Sequence, residues 1–425
     1  MIVRCLLLAL LCLVAYAPTL TIPLVEDDYP NIGIAQTYGT PAGLPLLLKN
    51  PVLRPRATSW WIMYASWRNF QTAPLGYHVA ALLLHIANTI LVYWLALLWR
   101  PMRDAAIWAA AFFAVHEGHQ EAVMWLSGMT DAFLFFFGIA AVLCWMAAET
   151  RKHGWLWRIA ALVLYVFALL SKESAVVLLP FFVLTAPKPF SRSFLIRLTP
   201  VLAITALAVA STLATQAYSF RSPQITIHAP FWITWPRSFL RLLWAWGWFG
   251  MAVIFLQKSD RDSKRSAVLA LLWIGIGLAP YSFLGFPYST QIASRQTYLA
   301  SAGLALLFGL AVAHLAAHAP KPRLVVAAVV GLMLINNVGW IWTRKRAQFL
   351  ARAEPTEQLI RLAKQTSGPI WMRCFPRQQI VAEDAVRLGA GKPISTLLWN
   401  EPDAALRRQV AEFCYEEPGA RSKKP

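Results

Sequence analysis

The sequence predicts an all-α polytopic membrane protein of about eleven transmembrane helices with a small α/β appendage at its C-terminal end. Three observations make that prediction. Of 425 residues, 58% are hydrophobic and 20 are Trp, and the mean hydropathy is +0.50, outside the range of ordinary soluble domains. Apolar runs recur from residue 3 to residue 342 at lengths that suit a hydrocarbon core about 30 Å thick, which needs roughly 20 helical residues. After residue 346 the composition turns to that of a soluble unit.

Taken in order, the expected spans are 3–20, 77–99, 104–116, 130–147, 155–170, 174–187, 194–214, 237–256, 266–284, 297–317 and 323–342, two of them short. The first has a processing alternative. Arg4, an apolar run and Ala15-Tyr16-Ala17 also resemble a signal peptide with a cleavage site. Lys172 and Glu173 interrupt the apolar stretch 155–187, which therefore reads as two short helices around a tight turn.

Charge orients these spans. Lys plus Arg total 39 against 20 Asp plus Glu, a formal +19 that in a soluble chain would suggest nucleic acid. Here the cations cluster in alternate connections: Arg100 and Arg103; Arg151, Lys152 and Arg158; Lys188, Arg192 and Arg197; Lys258, Arg261, Lys264 and Arg265; Lys321 and Arg323. That is the positive-inside pattern, and it excludes a nucleic-acid partner in favour of membrane lipids. It places the N-terminus inside, the segment 21–76 outside and the tail outside. Arg344-Lys345-Arg346 then falls on the side where the rule does not want it.

The chain accordingly divides into a transmembrane domain, 1–345, with a long first outer loop 21–76, and a soluble C-terminal domain, 346–425. Within the loop, Trp60, Trp61, Trp67 and Phe70 beside Arg56 and Arg68 suit a helix lying at headgroup depth. In the tail, Thr356 is placed to cap a helix through Lys364, Ile370-Trp371-Met372 and Leu397-Leu398-Trp399 read as strands, and 378–388 and 402–413 read as helical. Cys374 and Cys414 either pair, if the tail lies in an oxidising compartment, or remain two thiols. No N-x-S/T sequon occurs, in keeping with a bacterial source.

With that topology the unusual polar residues sort onto one side. The acidic triplet Glu26-Asp27-Asp28, Arg54, His78, His116, Glu117, His119, Glu121, Asp131, Lys172, Glu173 and Arg295 all fall at outer ends of spans or in outer loops. A charge at membrane depth costs about 2.5–3.5 kcal/mol on insertion scales, so such residues are expected to pair or to face a cavity. His116, His119 and Glu121 have the chemistry of metal ligands, and the same residues also suit capping of a short helix, so a divalent cation stays open. Lys172 suits a phosphate or an ion pair with Glu173 or Asp131. Arg295, beside Tyr298 and Ser301, suits a headgroup phosphate or snorkelling.

Four separated motifs resemble those of polytopic GT-C glycosyltransferases, nearest the bacterial and TMTC-type relatives of protein O-mannosyltransferases. Arg54-Pro55, then Pro74-Leu75-Gly76-Tyr77-His78 with His85 and Asn88, resembles R-P…P-x-G-Y-H…H-x-x-N. His116 to Val123 with Ser127-Gly128 and Asp131 resembles H-P-x-H-x-E-A-V…S-G-R-x-D. Leu170-Ser171-Lys172-Glu173 is similar to L-S-K-E, and Arg295 with Tyr298-Leu299 and Ser301 is similar to R-Y-x-Y-L-P-S. The chain departs at Glu117, where the family has Pro, and at Met129, where it has Arg. The tetratricopeptide repeats of TMTC proteins are absent from this sequence.

The resemblance implies a GT-C-like fold and a polyprenyl-phosphate sugar donor, with transfer by inversion to an acceptor hydroxyl on a protein, a glycan or lipid A. It implies that Asp27 or Asp28 takes the acceptor proton and that Lys172 and Arg295 stabilise the departing phosphate. Arg54, His78, His116, His119, Glu121, Asp131, Glu173 and Tyr298 would support the site. The expected setting is a bacterial inner membrane with the site and the C-terminal domain on the periplasmic side. A lipid or solute transporter would instead spread polar residues over both halves, and an inactive assembly protein would account for Glu117 and Met129.

Overall fold

A computed structural model describes residues 1–219, 230–257, 259–283 and 293–416. Lys258, the end of the expected 266–284 span and the tail from 417 lie outside the described residues. The chain is helical almost throughout, as its periodicity and apolar content require. The helices of the N-terminal half are α1 (Ile2–Tyr16), α2 (Asp28–Tyr38), α3 (Leu44–Lys49), α4 (Ala57–Phe70), α5 (Pro74–Leu98), α6 (Ala106–Val115), α7 (Gln120–Val123), α8 (Met129–Ala148), α9 (Gly154–Leu169) and α10 (Leu178–Leu184). Then follow α11 (Arg192–Ser219), α12 (Phe231–Met251), α13 (Arg261–Leu278), α14 (Tyr298–His318), α15 (Pro322–Trp340), α16 (Arg346–Gln365) and α17 (Gln379–Ala385).

Among the described residues, eight helices are long and apolar enough to cross a membrane. Each of the other three expected spans is a short helix: α6, α9 and α10 with the turn before it. The bundle is built around α14. Ala300, Ala302, Gly303, Ala305, Gly309 and Ala311 keep its surface small, so α6, α12 and α13 approach closely and almost all of it is buried. Small residues drive association in lipid, where apolar burial gains little.

The helix α15 runs through a π-turn, Ile341–Lys345, straight into α16, so the expected boundary at 345/346 lies inside one continuous helix. Thr356 is therefore not a cap. It sits mid-helix with its hydroxyl donating to the carbonyl of Ala353, and the buried face of Phe349, Ala353, Leu359 and Ile360 carries the helix past Pro355. Three parallel-paired strands follow, β1 (Ile370–Cys374), β2 (Leu397–Leu398) and β3 (Ala411–Cys414), in the order β2-β1-β3. The α/β appendage is thus borne out, but the stretch 402–413 holds only one 3-10 turn, Leu406–Arg408. It ends in β3, which pairs with β1 and is joined to it by a Cys374–Cys414 disulfide.

This small unit does not hang free. Ile360 and Ala385 pack with Tyr29 and Ile32 of α2, and Arg387 donates to Gln36 at 2.9 Å. The segment between α1 and α5 is thereby held between the bundle and the C-terminal unit.

Candidate functional site

The acidic triplet forms a tight turn at the junction of these parts. Glu26 has φ of +46°, in the left-handed region that a side chain enters only at a cost. Four side chains hold the turn in that shape. His78 Nε2 lies 2.8 Å from the carbonyl of Ile22, Trp125 Nε1 donates to the carbonyl of Val25 at 3.2 Å, and Glu26 is gripped by Arg352 (2.6 Å) and Arg377 (2.7 Å).

The two aspartates have different fates. Asp28 is 1% exposed, and both of its oxygens are occupied. One accepts from the Val25 N–H at 2.8 Å, and the other from the N–H and hydroxyl of Ser127 at 2.8 and 2.6 Å. Ser127 can reach it because Gly128 lies against the carbonyl of Glu121, where any Cβ would be 1.8 Å from that oxygen. Asp27 is exposed, and its carboxylate makes no hydrogen bond or ion pair with the described residues. Burial raises the Asp28 carboxyl to about 7, so proton affinity alone would favour it as a base. Of the two aspartates only Asp27 is exposed. Partial desolvation and the charge of Glu26 also raise Asp27, while Arg295, Arg352 and Arg377 pull it back.

Trp125 organises the cations. Arg295 and Arg352 both lie over its ring, at 4.7 and 4.4 Å from the centroid. Glu121 steadies Arg295 through its backbone N–H at 3.2 Å and its guanidinium at 4.0 Å. Two arginines thus share one aromatic platform, and both act electrostatically on Asp27.

The other expected site residues divide into two groups and one outlier. Asp131 is buried with Lys172 at 2.5 Å and accepts from the Tyr281 hydroxyl at 2.9 Å. Glu173, beside them, pairs with Arg56 through two contacts of 3.1 and 2.8 Å. Lys172 therefore has the internal partner that was one of its two readings. In the bundle, Tyr298 is buried with its hydroxyl 2.7 Å from His85 Nδ1 and 3.3 Å from Asn88, and His119 Nε2 lies 2.6 Å from Ser301. Arg54 stands apart, donating to Ser211 of α11 at 2.7 Å.

His116, His119 and Glu121 do not come together as a metal site, because His119 is turned into the bundle toward Ser301 and Glu121 toward Arg295. Among the described residues no group of three His, Cys, Asp or Glu side chains is arranged to hold a metal ion. Sequence reasoning missed Trp125, Arg352 and Arg377. The available signal was the set of cations following the last span on the side of the acidic triplet.

Comparison with known proteins bears out the resemblance read from the motifs. Residues 51–207, a little over a third of the chain, match the family described as Dolichyl-phosphate-mannose-protein mannosyltransferase. The Drosophila melanogaster Protein O-mannosyl-transferase Tmtc1 is 37% identical over 109 residues, 24% of this chain and 12% of that protein. The Homo sapiens Protein O-mannosyl-transferase TMTC4 is 31% identical over 94 residues, 21% of this chain and 13% of that protein. The chain thus matches only about an eighth of the length of these relatives. In fold it is similar to the Archaeoglobus fulgidus oligosaccharyltransferase, seen in one crystal structure tethered with an acceptor peptide. The TM-score is 0.54 at 12% identity, covering 92% of this chain and 63% of that one. The complex of that protein with Zn and sulfate gives 0.53, covering 91% and 62%.

Proposed function

We propose that this chain is an inverting glycosyltransferase that moves a sugar from a polyprenyl-phosphate carrier to an acceptor hydroxyl. The observation that carries the reading is Asp27, the one member of the acidic triplet left exposed and unpaired, on a turn held from both sides and facing arginines stacked on Trp125. The acceptor oxygen attacks the anomeric carbon as the bond from that carbon to the phosphate oxygen breaks. The hydroxyl proton passes to Asp27, and the carrier phosphate leaves as an anion that needs no proton. Arg295 and Arg352 are placed to stabilise the charge that develops on it, whereas Lys172 is engaged by Asp131. In this reading the site and the C-terminal domain face the periplasm of a bacterial cell, and Asp28, His78 and Glu26 position the turn.

The reading is tested by supplying the purified full chain, in vesicles, with a radiolabelled polyprenyl-phosphate sugar and a membrane extract as acceptor source. Label is expected to leave the lipid phase only with wild-type chain. Label retained on the lipid under every condition counts against transfer.

A pH profile gives a second check. Asp27 must be ionised to take a proton, and its pKa is raised, so transfer is lost as pH falls through a limb above the usual aspartate value of about 3.9. Arg352→Ala removes a positive charge near Asp27 and frees Glu26 from one of its partners, and both changes move the limb to higher pH. Arg352→Lys is expected to leave it nearer the wild-type position. A limb unmoved by Arg352→Ala would detach Asp27 from the acid side of the profile.

A further inference from the structure

The residues on both sides of Asp27 are tied to the small C-terminal unit. Before it, Glu26 is 14% exposed and meets Arg377 at 2.7 Å. After it, α2 begins at Asp28 and packs against Ala385 of α17. At Gly33 of that helix the contact is so close that a Cβ would lie 2.7 Å from the Arg387 guanidinium.

The two arginines on Glu26 are anchored differently. Arg352 belongs to α16, which continues α15 out of the bundle, so the membrane domain fixes its place. Arg377 follows shortly after Cys374, the last residue of β1, and depends on the C-terminal unit for its place. That unit has little to hold it. In its sheet β1 is flanked by β2, of 2 residues, and β3, of 4, and a core this small rarely suffices without a staple. The Cys374–Cys414 disulfide joins the ends of β1 and β3 across a separation of 40 residues, and closing so long a loop restricts the unfolded chain strongly. The ladder between these strands is irregular from Met372 to Cys374, just before the chain turns toward Arg377, and the covalent bond secures that point.

We propose that Arg377 is a positioning residue that acts on Asp27 through Glu26, and that the Cys374–Cys414 disulfide holds it there, so that the turn is competent only in the oxidised chain. Glu26 is the residue driven into the left-handed region, and its two arginines keep it there. The charged groups acting on Asp27 are Glu26, Arg295, Arg352 and Arg377, with buried Asp28 beside it and Glu121 against Arg295. Losing Arg377 removes one positive charge and leaves Glu26 with one partner fewer, and both changes favour the protonated form of Asp27. Cys414 is exposed, so a dithiol can reach the bond. The dithiol supplies two electrons and two protons, the S–S bond opens to two thiols, and the reductant closes to its own disulfide. The catalytic consequence rests on the reading of Asp27 as the base, whereas the tie between the disulfide and the turn does not.

The test reads Asp27 directly. The full chain in detergent, either oxidised or reduced with dithiothreitol and alkylated, is treated with a water-soluble carbodiimide and glycine ethyl ester over a series of pH values, and label at each carboxyl group is measured by peptide mass spectrometry. The reagent takes protonated carboxyl groups, and Asp262, exposed at the start of α13, is the internal control. Reduction is expected to raise the label on Asp27 at pH 6 about threefold and to leave Asp262 unchanged. Arg377→Ala is expected to show the same rise while oxidised and no further rise on reduction, and Arg377→Lys to keep the wild-type profile. General loosening does not produce that missing second response. An Asp27 profile unmoved by reduction, or moved equally in wild type and Arg377→Ala, overturns the proposal, as does a parallel rise at Asp262. If the label behaves as expected and the oxidised chain transfers no sugar, the tie stands and the transferase reading falls.

Discussion

Asp27→Asn is expected to cut sugar transfer by about 10²–10⁴-fold, the usual contribution of a positioned general base, with carrier binding unchanged. The two halves of that expectation have separate structural causes. Loss of rate follows because the amide cannot accept the acceptor proton, and no other carboxylate on the turn is free to do so. Glu26 is held by Arg352 and Arg377, and Asp28 by Val25 and Ser127. Unchanged binding follows because Asp27 makes no hydrogen bond or ion pair with the described residues, so an isosteric amide disturbs no packing. Asp28→Asn should behave differently. Its amide nitrogen presents a donor where either the Val25 N–H or the Ser127 N–H needs an acceptor, so the turn loosens and the thermal midpoint falls with activity. Comparing midpoints with initial rates for the two variants separates base from brace. Full transfer by Asp27→Asn at wild-type stability would remove the base assignment.

Eight of the eleven apolar spans were legible because bilayer thickness imposes a length on them, and β1 and β2 because their apolar triplets stand between polar runs, whereas β3 lies in a stretch that reads as helical. The site was legible only in part. Pairing chemistry can be read from residue type, and Lys172 with Asp131 or Glu173 was a small set of choices. Which choice is made depends on the turn between α9 and α10, and spacing does not show it. The Arg344-Lys345-Arg346 cluster looked like a breach of the charge rule. In the structure Lys345 meets Glu117, and further along the same continuous helix Arg352 meets Glu26. Cations that a topology rule counts as misplaced are those that the acidic groups of the site face require. The tail was harder still. Arg377 lies more than 300 residues from Glu26, and only the docking of the α/β unit on α2 brings them together. The difference between Asp27 and Asp28 lay outside sequence reasoning for the same reason, since it is decided by Ser127 and Gly128, a hundred residues away.

Lys172→Met is expected to act on stability before it acts on the carrier. The Lys172 and Asp131 side chains are 6% and 4% exposed and meet at 2.5 Å, with Tyr281 as the only other side chain donating to Asp131 among the described residues. Removing one partner of a buried pair leaves the other charge uncompensated and costs about 3–5 kcal/mol. The thermal midpoint in detergent should therefore drop by many degrees, and activity should fall with the folded fraction. Asp131→Leu combined with Lys172→Met removes both charges and should recover much of the midpoint, because an apolar pair of similar volume avoids the desolvation cost. A carrier-binding role makes the opposite forecast, in which Lys172→Met raises the apparent KM for the donor at an unchanged midpoint and the second substitution repairs nothing. Measuring both quantities on the single and double variants decides whether Lys172 is the keel of the α8–α10 region or a ligand of the phosphate.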